Sequence, residues 1–246
     1  MSIATEEELS RMRAAGYVAR LILESMRRAV RPGVTTAELD AIGNKTMQEN
    51  GARSAPAMVY HFPGGSCISV NDEVVHGIPG NRMLAEGDLV KLDVTIEKNG
   101  FMADTAATVA VGAISHERQR LIECAERAFN KAMLVARAGF RIFEIGRMVE
   151  REVHGDGFSV MRDLCGHGIG RTIHEPPRVP NYPDPHAKSL LTEGLVITVE
   201  PIIAAGTGLQ FLDGDGWTVR TADCTPAAHY EHTIVVTKGT PILLTA

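Results

Sequence analysis

The stretch CGHGIGRTIH at 165–174 sets two imidazoles, His167 and His174, seven residues apart in chain too glycine-rich for a helix. Glycines on both sides of His167 would let the backbone pass close to whatever that ring serves. Four carboxylates have equally unusual surroundings. Asp93 sits within LVKLDVTI, and Asp104, Glu200 and Glu231 also lie beside apolar or β-branched neighbours. A buried carboxylate without a partner is costly and tends to take up a proton instead. Each acid taken singly reads as a solvated strand-edge residue. Four converging acids would repel one another unless cations lay among them. Two divalent ions resolve that repulsion, as in two-metal hydrolases whose ions stand roughly 3.5–4 Å apart. Adding His167 to such a set moves the preference away from Mg and Ca and toward Mn, Fe, Co or Zn. His76 and His174 lie in loops bearing glycine or proline, where surface, core and catalytic roles are all open on composition. His61, His116, His154, His186, His229 and His232 read as ordinary surface or core residues.

The acids fall at repeated positions. LAEGDLVKLD at 84–93 and LTEGLVITVE at 191–200 share L-x-E-G and place a carboxylate six residues after the glycine, Asp93 in one and Glu200 in the other. DTAATVAVG from Asp104 and EHTIVVTKG from Glu231 each carry glycine eight residues after the acid. Upstream, RPGVTTAEL aligns with RAGFRIFEI, Gly33 on Gly139 and Glu38 on Glu144. The chain therefore reads as two copies of a helix-helix-strand-hairpin unit, about 1–112 and 113–246, within one catalytic domain spanning 1–246. Helical spacing through Met12, Ala15, Val18, Leu21, Ile22 and Met26 predicts a first helix. Thr36 is read as the cap of a second, carrying Leu39, Ile42 and Met47. Residues 51–80 read as strand and loop without helix. Asn99-Gly100 between two strand-like runs predicts a hairpin, and helices are expected over Glu117–Ala138 and Ile142–Val153.

Composition narrows the class. The chain has 246 residues, 44% hydrophobic and 22% charged, which is ordinary for a globular protein. A net charge of -5 and the lack of a basic arm argue against direct nucleic-acid binding. Cys67, Cys124, Cys165 and Cys224 form no CxxC pair, which fits a reducing compartment. No apolar run approaches the roughly 20 residues of a membrane span, and the acidic start does not resemble a signal peptide. A cytoplasmic protein is expected.

NDEVVHGIP, KLDVTIEKNGFMADTAATVAVG, GHGIGRTIHEPP, ITVEPI, DGWTVRTAD and YEHTIVV, in that order, resemble the type I methionine aminopeptidases. The likeness runs from the first helix to the last strand. It resembles the short bacterial form, without the zinc-finger extension of longer type I enzymes or the helical insertion of type II. The resemblance implies an α+β pita-bread fold, a curved antiparallel sheet with two helix pairs on its outer face. It implies that Asp93 chelates one metal ion, that Asp104 and Glu231 bridge both, and that His167 and Glu200 complete the other. His76 and His174 match the histidines that contact substrate, and Tyr60, Phe62, Cys67 and Trp217 fall near the methionine pocket. Ile173 stands where relatives often have Phe, and YHFPGG departs from the more usual HGFPGS.

The activity implied is removal of N-terminal methionine from nascent polypeptides when the second residue is small, after deformylation. Two divalent ions (Co, Mn, Fe or Zn) would serve as cofactors. Glu200 would act as general base and proton carrier. His174 would polarise the carbonyl, and His76 would assist the departing nitrogen. A monomer working near the ribosomal exit tunnel is expected. An Xaa-Pro aminopeptidase or prolidase shares the five ligands but usually carries a large N-terminal domain. A ligand-depleted, catalytically dead module that only binds peptides or nucleic acid is disfavoured by the intact ligand set.

Overall fold

Asn99 and Gly100 both take positive φ, 52° and 83°, in the computed structural model, which describes residues 1–246. That backbone matches the twist of flanking strands, so the predicted hairpin forms. The chain opens with α1 (Glu6–Ala29), α2 (Thr36–Glu49), β1 (Arg53–Ser54), α3 (Ala55–Tyr60), β2 (Cys67–Val70) and β3 (Glu73–Val75). The hairpin is β4 (Leu89–Lys98) and β5 (Phe101–Ala110). Next come α4 (His116–Met133), α5 (Ile142–Gly155), β6 (Ser159–Val160), β7 (Cys165–Gly168) and β8 (Glu175–Pro180). The chain ends with β9 (Val196–Val199), β10 (Ile202–Ala204), β11 (Gln210–Leu212), β12 (Val219–Thr221), β13 (Ala227–Val235) and β14 (Ile242–Leu243).

The main sheet runs β1-β4-β5-β13-β9-β7-β8, antiparallel throughout, with β2, β6, β10 and β14 attached off this path. A small second sheet has the order β11-β12-β3. Side chains alternate across a strand, and this alternation separates core from chemistry. On β4, Val90, Leu92, Val94 and Ile96 join the core under α1, leaving Lys91, Asp93 and Thr95 on the other face. On β13, Ala228, Tyr230 and Ile234 pack with α4, leaving His229, Glu231 and Thr233 opposite. α1 lies on β4 and β5 and α4 on β13, with α2 and α5 packed on them in turn. Each fully buried Ile or Met on α1, such as Met12, Ile22 and Met26, contributes on the order of 1.5–3 kcal/mol. Both helix pairs thus cover one face, as the pita-bread expectation requires.

The repeated motifs make repeated hydrogen bonds. Gly33 N donates to Leu84 O at 2.8 Å, and Gly139 N donates to Leu191 O at 3.0 Å. Leu84 N to Val34 O and Leu191 N to Phe140 O are both 2.8 Å, as are Gly87 N to Val111 O and Gly194 N to Val236 O. The paired glycines share a left-handed backbone, φ 88° and 90° at Gly33 and Gly139, 93° and 83° at Gly87 and Gly194. Such φ values disfavour any side chain.

Several expectations are corrected. The cap of α2 is Thr35, not Thr36, because Glu38 must stand three residues on to close the capping box that is formed. Residues 51–80 do contain a helix, the six-residue α3, capped by Ser54 with Pro56 in its first turn. α4 ends at Met133, five residues early, because Ala138 N turns to pair with Thr237 O.

Candidate active site

Five strands adjacent in the sheet carry the five expected ligands. Along β4-β5-β13-β9-β7 these are Asp93, Asp104, Glu231, Glu200 and His167, with Glu200 directly following the last residue of β9. Asp93 and Glu231 are both registered against Ala106 and therefore flank β5 at one level. Asp104, His167 and Glu231 each bring a ligand atom within 4.8 Å of the others. Threonines fix the acids. Thr95 Oγ1 donates to Asp104 Oδ1 at 2.9 Å, and Thr198 Oγ1 donates to Glu200 Oε2 at 2.6 Å. Asp104 N donates to Thr233 Oγ1 at 2.9 Å, which locks β5 to β13 beneath the site.

His167 has a defined tautomer. Its Nδ1 lies 2.9 Å from Gly168 O, and a carbonyl can only accept, so Nδ1 carries the proton. Nε2 then presents a lone pair, 3.7 Å from Glu200 Oε2 and 3.9 Å from Asp104 Oδ2. Burial lowers the ring's pKa to about 4, so the neutral form holds at pH 7. A lone pair facing two carboxylate oxygens is repulsive on all sides until a cation enters, and histidine ligands are commonly oriented by such a backbone acceptor.

The flanking glycines have a different cause from the one expected. A Cβ on Gly166 would lie 2.5 Å from Thr198 O, and one on Gly168 would lie 2.3 Å from Pro176 O. They admit the neighbouring strands β9 and β8, rather than an ion.

None of the four carboxylates has a lysine or arginine within ion-pair distance, the nearest charged-type partners being His167 and His229. Glu231 Oε1 is buried without any hydrogen-bond partner. Withdrawal from water, then the charges of Asp104 and Glu200, push Asp93 well up. Burial likewise raises Glu231, Asp104 and Glu200. Without cations Asp93, Glu200 and Glu231 hold protons near neutrality, and a divalent ion displaces them. The donor set of carboxylates plus one imidazole therefore fits divalent metal.

All eleven expected site residues line one cavity of about 140 Å³. Phe62 and Trp217 meet edge to face, centroids 5.3 Å apart, as its aromatic wall. Cys67 is buried beside them, and burial raises its thiol well above the usual value, keeping it a neutral wall group. His76 adopts a left-handed φ of 58° and opens onto the cleft. His174 meets His167 edge to face, with centroids 4.2 Å apart and ring planes at 66°. Tyr60 makes a second contact, its hydroxyl 2.6 Å from His174 Nδ1. Desolvation raises the Tyr60 phenol and lowers His174, which keeps both groups neutral; in the tautomer with Tyr60 as donor, His174 carries its proton on Nε2. Tyr60 thus holds His174 in addition to lining the pocket.

The sequence marks His229 as an ordinary histidine, yet it lines this cavity with 2% exposure. Its position two residues before Glu231 was the available signal, since alternation puts both on one face. Thr95 and Cys165 also line the cavity and Thr198 bonds Glu200, although nothing in the sequence marks them. His232, by contrast, faces away from the cleft and bonds Thr245 at 2.8 Å.

The sequence signature of metallopeptidase family M24 matches residues 10–238. Methionine aminopeptidase 2 of Bacillus subtilis (strain 168) is 44% identical over 247 residues, covering 100% of this chain and 99% of that protein. The crystal structure of methionine aminopeptidase from Rickettsia prowazekii matches with a TM-score of 0.96 at 38% identity, covering 100% of each chain. That of methionine aminopeptidase from Thermotoga maritima also scores 0.96, at 32% identity, covering 100% of this chain and 99% of the other. With a metal-ready centre on five strands and full-length likeness to such proteins, the chain belongs to metallopeptidase family M24, among the methionine aminopeptidases.

Proposed function

We propose that the chain hydrolyses the peptide bond after an N-terminal methionine when the second residue is small and any formyl group has been removed. The observation carrying this reading is the unprotonated His167 Nε2 set among unpaired buried carboxylates. Asp93, Asp104, His167, Glu200 and Glu231 would hold two divalent ions of the Mn, Fe, Co or Zn type. When bound, such ions supply Lewis acidity toward a carbonyl and make an attacking water acidic near neutrality.

The chain's own groups do the rest. Glu200, held by Thr198, accepts the water proton and returns it to the leaving amine. His174, its Nδ1 occupied by Tyr60, points Nε2–H at the carbonyl oxygen as negative charge develops there. His76, open to the cleft, hydrogen-bonds the scissile amide nitrogen. The thioether side chain fits between Phe62, Trp217 and Cys67, because a flexible polarisable group suits an irregular apolar wall.

The working unit would be one catalytic domain, residues 1–246, of two repeated halves. It would act as a monomer. Four free cysteines support a cytoplasmic setting, where nascent chains emerging from the ribosome present the substrate amine. Metal-stripped protein should release methionine from Met-Ala-Ser only after Mn, Fe, Co or Zn is restored, and should leave Ala-Pro-Ala intact. Cleavage by the stripped protein, or preference for Ala-Pro-Ala, would overturn the reading.

A further inference from the structure

His229 is buried to 2% exposure, lines the cleft, and neither of its ring nitrogens has a hydrogen-bond partner. Its Nε2 lies 3.4 Å from Glu231 Oε2. The backbone beneath it has no slack. His229 N donates to Thr108 Oγ1 at 2.8 Å, Thr108 Oγ1 donates to His229 O at 2.9 Å, and the residue is registered opposite Ile202 on β10. The ring therefore stands where the strand puts it, and a buried polar ring with no partner calls for an explanation.

The acids beside it supply one. Asp104 and Glu200 each receive a threonine hydroxyl, from Thr95 and Thr198. No hydroxyl or amide donates to the Glu231 carboxylate, and its Oε1 is without any partner. Thr198 stands two residues before Glu200, and His229 stands two residues before Glu231, each on the same strand face as its acid. The Asp104, His167 and Glu231 trio closes without the His229 ring, so His229 meets the centre through Glu231.

We propose that His229 is the positioning residue of Glu231. Its Nε2–H donates to Oε2 and so presents Oε1 to a divalent ion. The neutral ring has one N–H, which this assignment places on Nε2. The inference rests on the metal-centre reading given under the proposed function. Its distinct content is that a donor at position 229, and not a ligand there, sets metal affinity.

The test is calorimetric titration of the metal-free protein with Mn²⁺ alone, for wild type, His229→Leu and His229→Gln. Leu keeps the bulk of the side chain and removes the donor, whereas Gln keeps a side-chain N–H. His229→Leu should bind Mn²⁺ about 10–100-fold more weakly, the range found when partners behind metal ligands are lost. His229→Gln should recover most of that affinity. The thermal midpoint of the metal-free proteins is measured alongside, so that general unfolding is not mistaken for loss of the donor. If His229→Leu does not fold, His229→Ala takes its place with the same expectation against His229→Gln. Equal Mn²⁺ affinity in wild type, the donorless variant and His229→Gln would overturn the inference alone. Absence of Mn²⁺ binding by wild type would overturn the centre itself and the inference with it.

Discussion

Replacing Gly166 by alanine tests how far the centre depends on strand spacing. The added Cβ would stand 2.5 Å from Thr198 O, against the 3.4 Å or more of ordinary contact, so β7 and β9 must part by roughly 0.9 Å. The obstacle is backbone, so no rotamer change relieves it. Thr198 also receives His167 N at 3.0 Å and donates to Glu200 at 2.6 Å. One methyl group therefore displaces an imidazole ligand and a carboxylate ligand in opposite directions. A displacement near 1 Å at reacting groups costs on the order of 100-fold in rate, and overpacking in a tight interior costs about 1–3 kcal/mol of stability. Steady-state cleavage of Met-Ala-Ser should show the loss chiefly in kcat, with Mn²⁺ affinity reduced in parallel. Urea unfolding of the metal-free protein should show a lower midpoint at unchanged slope. Wild-type kcat together with wild-type stability in Gly166→Ala would refute the close-approach argument.

Other perturbations give separable signatures. Asp104→Ala or Glu231→Ala should abolish bound metal and methionine release together, checked by elemental analysis of the dialysed protein. His174→Ala should lower kcat by about 100-fold with metal content intact; loss of metal would make it a ligand instead. Tyr60→Phe, which removes the 2.6 Å contact to His174, should lower kcat only about 2–10-fold, the worth of one net hydrogen bond. Stability of the metal-free protein should fall as pH rises from about 6.5 to 8. The raised carboxylates, with Glu200 near 8, keep protons in the fold that the unfolded chain has already released. The lowered His167 works in the opposite sense, costing stability only below 6.5, where the unfolded ring takes up a proton. A thermal midpoint that rises over that window without metal would contradict the carboxylate assignment.

The centre was legible because buried acids stand out in strands that otherwise hold only aliphatic and small residues, and because duplication repeated the anomaly at Asp93, Asp104, Glu200 and Glu231. The Asn99-Gly100 hairpin was equally plain, since few other dipeptides tolerate two positive φ values in succession. α3 was hidden by its length, six residues being too few for a 3.6-residue period to show. His229 was hidden differently. AAHYEHTIV has no clean alternation, because β13 lies in the middle of the sheet with helices on one face and the cleft on the other, and both faces are buried. The reason for the glycines around His167 lay in strands distant in sequence, at Thr198 and Pro176, which no local pattern reveals.

The order of ligands across the sheet makes the seam between β5 and β13 a mechanical joint. Asp93 and Asp104 lie on one side of it, and Glu231, Glu200 and His167 lie on the other. An ion held by acids from both sides, as proposed, would act as a rivet through that joint. Metal occupancy and the docking of the two halves would then be one equilibrium viewed from two ends. Whatever pried the seam open would release the ion, and whatever stripped the ion would loosen the seam.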